Sequence, residues 1–329
     1  MKKEKTKKKG RVLKGILIGL ISVVALIAVA IGGYNGIKYW RFSDFYAVRK
    51  NLRKNPGLSD GYITQGLCYL EDIDTYLTSG YMTDKKKPSR VYSVDKDNKS
   101  HFCELFRKDK DGNEVAFTYH CGGVASEGDY VMTACNKNVY VFSKEDILTK
   151  DKAVVVSAFA VNNNASFIFS SGEDVYVGEF NDVKNHYTTD HEYKVADDEI
   201  YQAIISKYSL TDVLNQKEAA PSREFVIRDR VQGMCVTSKG NIVVDTSWGM
   251  NPSHMYVYQD TGKADAKDGE IPVTFLDSTC LIKDLTCPSM FEDLDYYNGQ
   301  VLVTSESAST KYIYGKFCFY NHIYGVTLD

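Results

Sequence analysis

Short segments of apolar and aromatic residues, separated by polar turns, recur along most of the chain after residue 60. The clearest is a tyrosine segment, V-Y-S-V or a variant of it. It places Tyr92, Tyr140, Tyr208, Tyr256 and Tyr324 at steps of 48, 68, 48 and 68 residues. A repeat of this length is typical of an array or a closed ring of equivalent units. The tyrosine segments therefore predict five such units.

Two further segments precede each tyrosine segment, and a weaker one follows it. All are short, rich in β-branched or aromatic residues and bounded by turn residues, as strands are. The first segments begin at Gln65, Gly122, Ala165, Gln232 and Glu292, the second at Tyr76, Tyr130, Val175, Ile242 and Val301, and the fourth at Ser100, Ala153, Glu224 and Ile271.

Four antiparallel strands repeated five times predict an all-β fold, a five-bladed β-propeller. Six blades are the alternative if the long stretch between Glu179 and Gln202 contains another blade, and a β-sandwich is the other architecture considered. The fifth repeat has no fourth segment. We therefore expect the ring to borrow that strand from the residues before Gly61.

The N-terminus differs from the rest of the chain. Residues 1–14 contain eight Lys or Arg and one Glu, and no charge occurs from Gly15 to Gly33. Nineteen helical residues at about 1.5 Å each span a hydrocarbon core of about 30 Å, and basic flanks stay in the cytoplasm. The sequence predicts a cytoplasmic tail (1–14), a transmembrane helix (15–33), a juxtamembrane stalk (34–60) and an extracellular domain (61–329) at the cell membrane. A signal peptide cleaved near Ala30 is the alternative.

Charge narrows the range of partners. Beyond residue 14 the chain carries 32 basic and 42 acidic side chains. Nucleic acids bind cationic surfaces, so this acidic excess argues against a nucleic-acid partner. The expected partners are the membrane, through the N-terminal helix, and a cell-wall glycan or a surface protein.

Polar residues recur at the starts of first strands and the ends of second strands, which converge at one mouth of a propeller channel. The spacing of 68 residues marks long insertions after two of these positions, Glu179 and Glu306. The candidate ligand-binding residues are Gln65, His120, Ser166, Glu179, Gln232, Asp245, Glu292 and Glu306.

Carboxylate and amide groups suit a sugar or a divalent cation such as Ca²⁺, and paired carboxylates suit acid–base catalysis. The first functional hypothesis is a binding module that acts at the mouth without turnover. The second is a metal-assisted hydrolase, lactonase-like or glycosidase-like, with Glu179, Glu306 and His120 as catalytic candidates. A scaffold that presents a protein-binding surface is a third. In the structural alternative, these polar groups only satisfy the backbone or bridge water.

Two other residue types suggest chemistry. Cys280 and Cys287 bracket a predicted short loop, and Cys121 and Cys135 lie on predicted neighbouring strands. We predict these two pairs as disulfide candidates and expect Cys68 and Cys235 to be buried free thiols. In the first insertion, His186 and His191 indicate either a metal- or pH-sensitive loop or simply a solvated one.

Several motifs together resemble a group of uncharacterised bacterial exported proteins that are propeller-like. They are Q-G-L-C-Y from Gln65, N-A-S-F from Asn164, V-Q-G-M from Val231 and S-E-S-A-S-T-K-Y from Ser305. The resemblance extends from Tyr62 to Asp329. It implies a propeller fold and export, and it implies no particular reaction.

Overall fold

The computed structural model of the protein describes residues 2–185, 187–312, 315 and 320–328, with the backbone alone for residues 2–13. The chain divides into two compact units, Met1–Ala47 and Val48–Asp329. The second unit begins earlier than residue 61, the boundary expected from the sequence, because it includes a strand that lies within the predicted stalk.

The N-terminal unit is helical. Helix α1 (Lys2–Arg41) continues well beyond residue 33, and helix α2 (Ser43–Val48) follows it. Its stretch Lys14–Arg41 has a mean hydropathy of 2.8 in its most apolar window, and none of that window is buried. In the described part of the chain this is the one helix long and apolar enough to cross a membrane. It fits a single-pass anchor or a signal sequence.

The described residues of the second unit form short strands, two short α-helices and three 3₁₀ helices. The first half of the strands comprises β1 (Arg49–Lys54), β2 (Tyr62–Leu70), β3 (Thr75–Met82), β4 (Arg90–Val94), β5 (Ser100–Lys108), β6 (Glu114–Ala116), β7 (Gly123–Glu127), β8 (Tyr130–Cys135), β9 (Asn138–Ser143), β10 (Lys152–Val154), β11 (Ser157–Ala160), β12 (Phe167–Ser171) and β13 (Asp174–Gly178). The second half comprises β14 (Tyr193–Lys194), β15 (Ile200–Tyr201), β16 (Ala203–Ser209), β17 (Arg223–Ile227), β18 (Val231–Val236), β19 (Ile242–Thr246), β20 (Ser253–Tyr258), β21 (Ala266–Asp268), β22 (Ile271–Phe275), β23 (Leu281–Cys287), β24 (Phe291–Tyr297), β25 (Gln300–Ser305) and β26 (His322–Val326). The helices are α3 (Lys144–Thr149) and α4 (Leu210–Asn215), with 3₁₀ turns at Glu71–Ile73, Val183–Asn185 and Ala196–Asp198.

Twenty of these strands form five antiparallel blades. Blade 1 is β2-β3-β4-β5, blade 2 is β7-β8-β9-β11, blade 3 is β12-β13-β16-β17, blade 4 is β18-β19-β20-β23, and blade 5 is β24-β25-β26-β1. The first strands contact one another in a closed circle, in the order β2, β7, β12, β18, β24 and back to β2. The domain is therefore a five-bladed β-propeller. The sheet that the described residues of the stretch 179–202 form is the two-stranded β14–β15 pair, too small for a blade, so there is no sixth blade in the described residues.

The ring is closed by a strand from the start of the domain. In blade 5, β1 pairs antiparallel with β26, with Arg49 opposite Val326 and Asn51 opposite Tyr324. This confirms that the fifth blade borrows its fourth strand from the residues before Gly61. The basic segment R-K-N-L-R-K, predicted as stalk, is the outer strand of this blade.

The tyrosines of the repeat all lie on third strands, β4, β9, β16, β20 and β26. Four of the five are buried, namely Tyr92, Tyr208, Tyr256 and Tyr324. Elsewhere the cores lie between blades, where Leu77, Phe117 and Phe142 pack together between blades 1 and 2. Each such fully buried side chain contributes about 1.5–3 kcal/mol. The repeat thus records positions that fill the spaces within and between the blades.

One predicted strand belongs to a different blade. The segment at Ile271, expected as the fourth strand of blade 4, forms β22 and pairs parallel with β17 on the outer edge of blade 3. The fourth strand of blade 4 is instead β23, which pairs with β20. Both segments are short and apolar enough for a strand, so the sequence pattern alone does not decide which of them returns to its own blade.

This difference overturns one disulfide prediction. Cys280 and Cys287 do not bracket a loop, because they lie at the two ends of β23. A strand rises about 3.3 Å per residue, so their Cα atoms are about 20 Å apart, far beyond the span of a disulfide. Each thiol donates to a backbone carbonyl, that of Phe275 or that of Leu285, both at 3.4 Å.

The other cysteine pair is close but not bonded. Cys121 and Cys135 are buried free thiols, so the predicted bond between them is absent, although they are close enough for Cys121 to raise the pKa of the Cys135 thiol. Cys68 and Cys235 are buried free thiols, as the sequence predicted. Cys318 lies outside the described residues.

Candidate functional site

One cavity of about 890 Å³ lies where first strands begin and second strands end. We call it the mouth cavity. Of the predicted ligand-binding residues, the structure brings the following to its wall: Gln65, His120, Ser166, Gln232, Glu292 and Glu306. Glu179 and Asp245 do not line it. The wall also includes residues that the sequence did not single out: Tyr81, Phe180, Tyr187, Trp248, Lys311 and Tyr312.

Backbone bulges direct two of the glutamines into the cavity. In β2 the pairing register shifts between Thr64 and Gly66, which leaves Gln65 as the extra residue. In β18 an equivalent shift leaves Gln232. A bulge of this kind re-aims one side chain away from the regular alternation of a strand. The two Q-G segments of the sequence therefore mark two copies of one local structure.

The glycine that follows the first bulge has no room for a side chain. A Cβ atom on Gly66 would lie 2.1 Å from the Ser79 Oγ atom and 2.6 Å from the Val124 backbone nitrogen. The bulge therefore needs glycine because blade 2 approaches the backbone of β2 closely at this point. This close approach holds Gln65 at the junction of two blades.

The Gln65 amide connects an imidazole to a carboxylate. Its Nε2 atom donates to the Glu306 carboxylate at 3.1 Å and to the Thr64 carbonyl at 2.8 Å. Its Oε1 atom is thereby left to accept a hydrogen bond from His120 Nε2. Burial and the nearby charge of Lys311 lower the pKa of His120 to about 4. His120 is therefore neutral at physiological pH, with its proton on Nε2.

The Glu306 carboxylate also joins the amide to a tyrosine and a lysine. It accepts from the Tyr312 hydroxyl at 2.9 Å, and Lys311 Nζ donates to that hydroxyl at 2.9 Å and to the Tyr81 hydroxyl. Burial raises the pKa of Glu306 to about 7. This carboxyl group thus titrates close to neutral pH.

Glu292 is the least satisfied acid of the cavity. Its side chain is only 4% exposed, yet within the described residues its carboxylate has no hydrogen-bond partner. Burial, together with the charges of Glu306, Asp245 and Asp293, raises its pKa well above the ordinary value. Two neighbouring carboxyl groups that resist ionising together can share a proton or receive a cation.

Three aromatic side chains form another part of the wall. Phe180 and Tyr187 come from the insertion of blade 3, and Trp248 follows β19. Their ring centroids lie 5.6 to 5.9 Å apart, and Tyr187 is 53% exposed. We call this group the aromatic wall. The signal in the sequence was the insertion itself, although nothing in the repeat predicted which of its residues would reach the cavity.

Glu179 has a structural role. It is 1% exposed and accepts hydrogen bonds from the backbone nitrogens of Asn164 (3.0 Å) and Ile204 (3.1 Å). Burial raises its pKa to about 7. His191 Nε2 lies 3.6 Å from the same carboxylate, whereas His186 lies outside the described residues. Glu179 and His191 therefore hold the base of the blade 3 insertion, whose Tyr187 forms part of the aromatic wall.

Asp245 lies in the interior as well. It is fully buried on β19, and burial raises its pKa to about 8. It is therefore protonated at neutral pH. Its charged form would add to the negative potential that Glu292 experiences.

The donor set bears on the expected divalent cation. Among the described residues, no group of three or more His, Cys, Asp or Glu side chains is arranged to hold a metal ion. The carboxylates of the mouth cavity are instead spread between a hydrogen-bond network around Glu306 and the unpartnered group of Glu292.

Comparison with known proteins finds distant structural similarity. No protein-family model and no curated protein matches the sequence. A glutaminyl cyclase from Myxococcus xanthus is similar in structure, with a TM-score of 0.44 and 9% identity over 86% of this chain and 97% of that chain. The five blades of its own structure make the chain a β-propeller protein. A PQQ-bound aldose sugar dehydrogenase from Streptomyces coelicolor has a TM-score of 0.40 and 14% identity, over 78% of each chain. These identities are too low to transfer a function.

Proposed function

We propose that this protein is a membrane-anchored extracellular β-propeller that binds a carbohydrate in the mouth cavity. The observation that supports this proposal is the presence of an aromatic wall and a carboxylate–amide network in one cavity. Aromatic rings bury the C–H face of a sugar, and carboxylate and amide groups bind its hydroxyls. A volume of about 890 Å³ also falls within the range of small-molecule sites.

The proposed location follows from the N-terminus. Basic residues flanking an apolar helix favour the cytoplasmic side. The tail at residues 1–14 would therefore stay inside the cell, and the propeller would face outward. A ligand available on that side is a cell-wall glycan, which makes the propeller a surface receptor for wall polysaccharide.

The test is a titration of the full-length protein in detergent micelles with defined wall oligosaccharides, followed by calorimetry. We expect Trp248→Ala to weaken binding at least about fivefold, because stacking on an aromatic ring is worth about 1 kcal/mol beyond the buried area. Tyr130→Ala is the matched control, since Tyr130 is exposed on β8 and does not line the cavity. Equal affinities for the wild type and both variants would contradict the proposed site.

Hydrolysis of the bound molecule, glycosidase-like or lactonase-like, is a second candidate. The observation that favours it is the Glu292–Glu306 pair, because an acid with a raised pKa beside a second carboxylate is suited to general acid–base work. Glu179, predicted to act with Glu306 and His120, contacts the backbone and not the cavity. Mass spectrometry of an oligosaccharide incubated with the protein tests this, and an unchanged substrate would exclude it.

A further inference from the structure

We propose that the mouth cavity selects an amino sugar, and that Glu292 receives the protonated amine of that ligand. This inference rests on the proposed function, since it specifies which carbohydrate the cavity takes. The observation behind it is a carboxylate that is buried, lines the cavity and has no hydrogen-bond partner in the described part of the chain.

A carboxylate without a protein partner is costly to bury. Asp245 has both carboxyl oxygens buried in the interior without a partner, whereas the carboxyl group of Glu292 lines the mouth cavity and can be reached by a ligand. Three neighbouring acids, Glu306, Asp245 and Asp293, raise the pKa of Glu292, and the charge of Lys311 lowers it. Of the cations that line the cavity, Lys311 is already engaged by two tyrosine hydroxyls. Lys137 is exposed, and His120 is neutral. Among the described residues, Lys311 is the cation whose charge acts on Glu292, and no side chain forms an ion pair with its carboxylate.

The chemistry of this position fits an ammonium group better than a metal ion. A divalent cation such as Ca²⁺ takes six to eight oxygen ligands, and the described residues contain no cluster of acidic or imidazole ligands that approaches this. An ammonium group carries three donors and needs one carboxylate with a few further acceptors. Glu292 supplies the carboxylate, and the neighbouring Glu306 adds to the attraction.

The aromatic wall argues for a sugar rather than a simple amine. A linear polyamine or a lysine side chain offers no flat apolar face to stack on Phe180, Tyr187 and Trp248. A hexosamine ring presents such a face together with an amine on the ring. An amino sugar can therefore contact both the aromatic wall and the Glu292 carboxylate at once.

The experiment is calorimetry of the full-length protein in detergent micelles with two ligands of equal length, a glucosamine tetrasaccharide and its fully N-acetylated form. We expect the free-amine ligand to bind at least about tenfold more tightly, because a hydrogen bond to a charged group is worth more than a neutral one. Glu292→Gln should remove this preference, because it should weaken binding of the free-amine ligand far more than binding of the N-acetylated ligand. Glu270→Gln, which removes an exposed acid away from the cavity, should leave the preference intact.

The outcomes separate this inference from the proposed function. Equal binding of the two oligosaccharides, still weakened by Trp248→Ala, would overturn the choice of an amino sugar and leave carbohydrate binding in place. If the wild-type protein binds neither oligosaccharide, both the choice of an amino sugar and the proposed carbohydrate binding are overturned. If spermidine or a trilysine peptide binds as tightly as the glucosamine tetrasaccharide, the inference that the ligand is a sugar is overturned. Glu292→Gln is expected to fold, because it replaces a buried unpartnered acid with a neutral group of the same shape.

Discussion

Blades 3 and 5 carry the same feature in the sequence, a glutamate that ends the second strand and opens a long insertion, yet the two glutamates differ in the structure. Glu179 turns inward and accepts two backbone N–H groups. Glu306 turns to the mouth cavity and joins a network of side chains. An equivalent position in the repeat therefore predicts where a residue lies in its blade. Its role depends on the groups that its side chain contacts, and the repeat does not predict these.

The largest expected effect is on stability, at Glu179. Glu179→Ala would leave two buried backbone N–H groups without an acceptor, at about 1–3 kcal/mol each. We expect the free energy of unfolding in urea to fall by about 2–5 kcal/mol. Ala substitution of Glu306 should change it far less, since Gln65 and Tyr312, the partners of that carboxylate, line the mouth cavity, where water can take its place. Similar losses for the two variants would remove the distinction between them.

The pH dependence of stability is the next test. The pKa of Glu179 is about 7 in the folded protein and has its ordinary value near 4.5 in the unfolded chain. The folded state thus holds a proton that the unfolded state has lost, so stability falls as the pH rises from about 4.5 to 7. The Gln side chain cannot ionise, so Glu179→Gln should reduce this loss of unfolding free energy by about 3 kcal/mol. Urea unfolding at a series of pH values measures it.

A control for this profile is His254→Gln, because His254 is paired with Asp284 on the outer part of blade 4. A profile that stays as steep in Glu179→Gln as in the wild type would show that other buried acids carry the effect. Asp245, with a pKa of about 8, is the first of these.

The smallest effect is expected on affinity, at Glu306. Glu306→Ala removes the acceptor shared by Gln65 and Tyr312, and both side chains should lose their fixed orientation. We expect wall oligosaccharide to bind about tenfold more weakly, as loss of one charged hydrogen-bond partner implies. In the same titration Glu179→Gln should bind normally. Weakened binding by Glu179→Gln together with normal binding by Glu306→Ala would instead place the ligand at the base of the blade 3 insertion.

Much of the architecture could be predicted because it repeats. The tyrosine positions predicted five blades, and the missing fourth strand predicted the closure by β1. The segment at Ile271 was assigned to the wrong blade because strand pairing across blades depends on long-range contacts. Propensity and turn residues do not encode such contacts.

The site was harder to predict for a different reason. Gln65 and Gln232 could be picked out because they occupy equivalent positions, whereas Phe180 and Tyr187 belong to an insertion with no counterpart in the other blades. Trp248 lies in a loop whose path the repeat does not set. The partners of Glu179 are backbone groups, and these leave no mark in the sequence. Residues outside the repeat have no equivalent positions in other blades, so their location could not be predicted from the sequence.

The pairing of β1 with β26 has a consequence for biosynthesis. The ribosome makes β1 near the start of the chain and β26 near its end, so β1 must wait, unpaired, until almost the whole domain has emerged. An unpaired strand is a template for wrong association. The charges of R-K-N-L-R-K on β1 discourage such pairing during the wait. Folding of this domain is therefore expected to depend on chaperones that protect β1 until β26 has been synthesised.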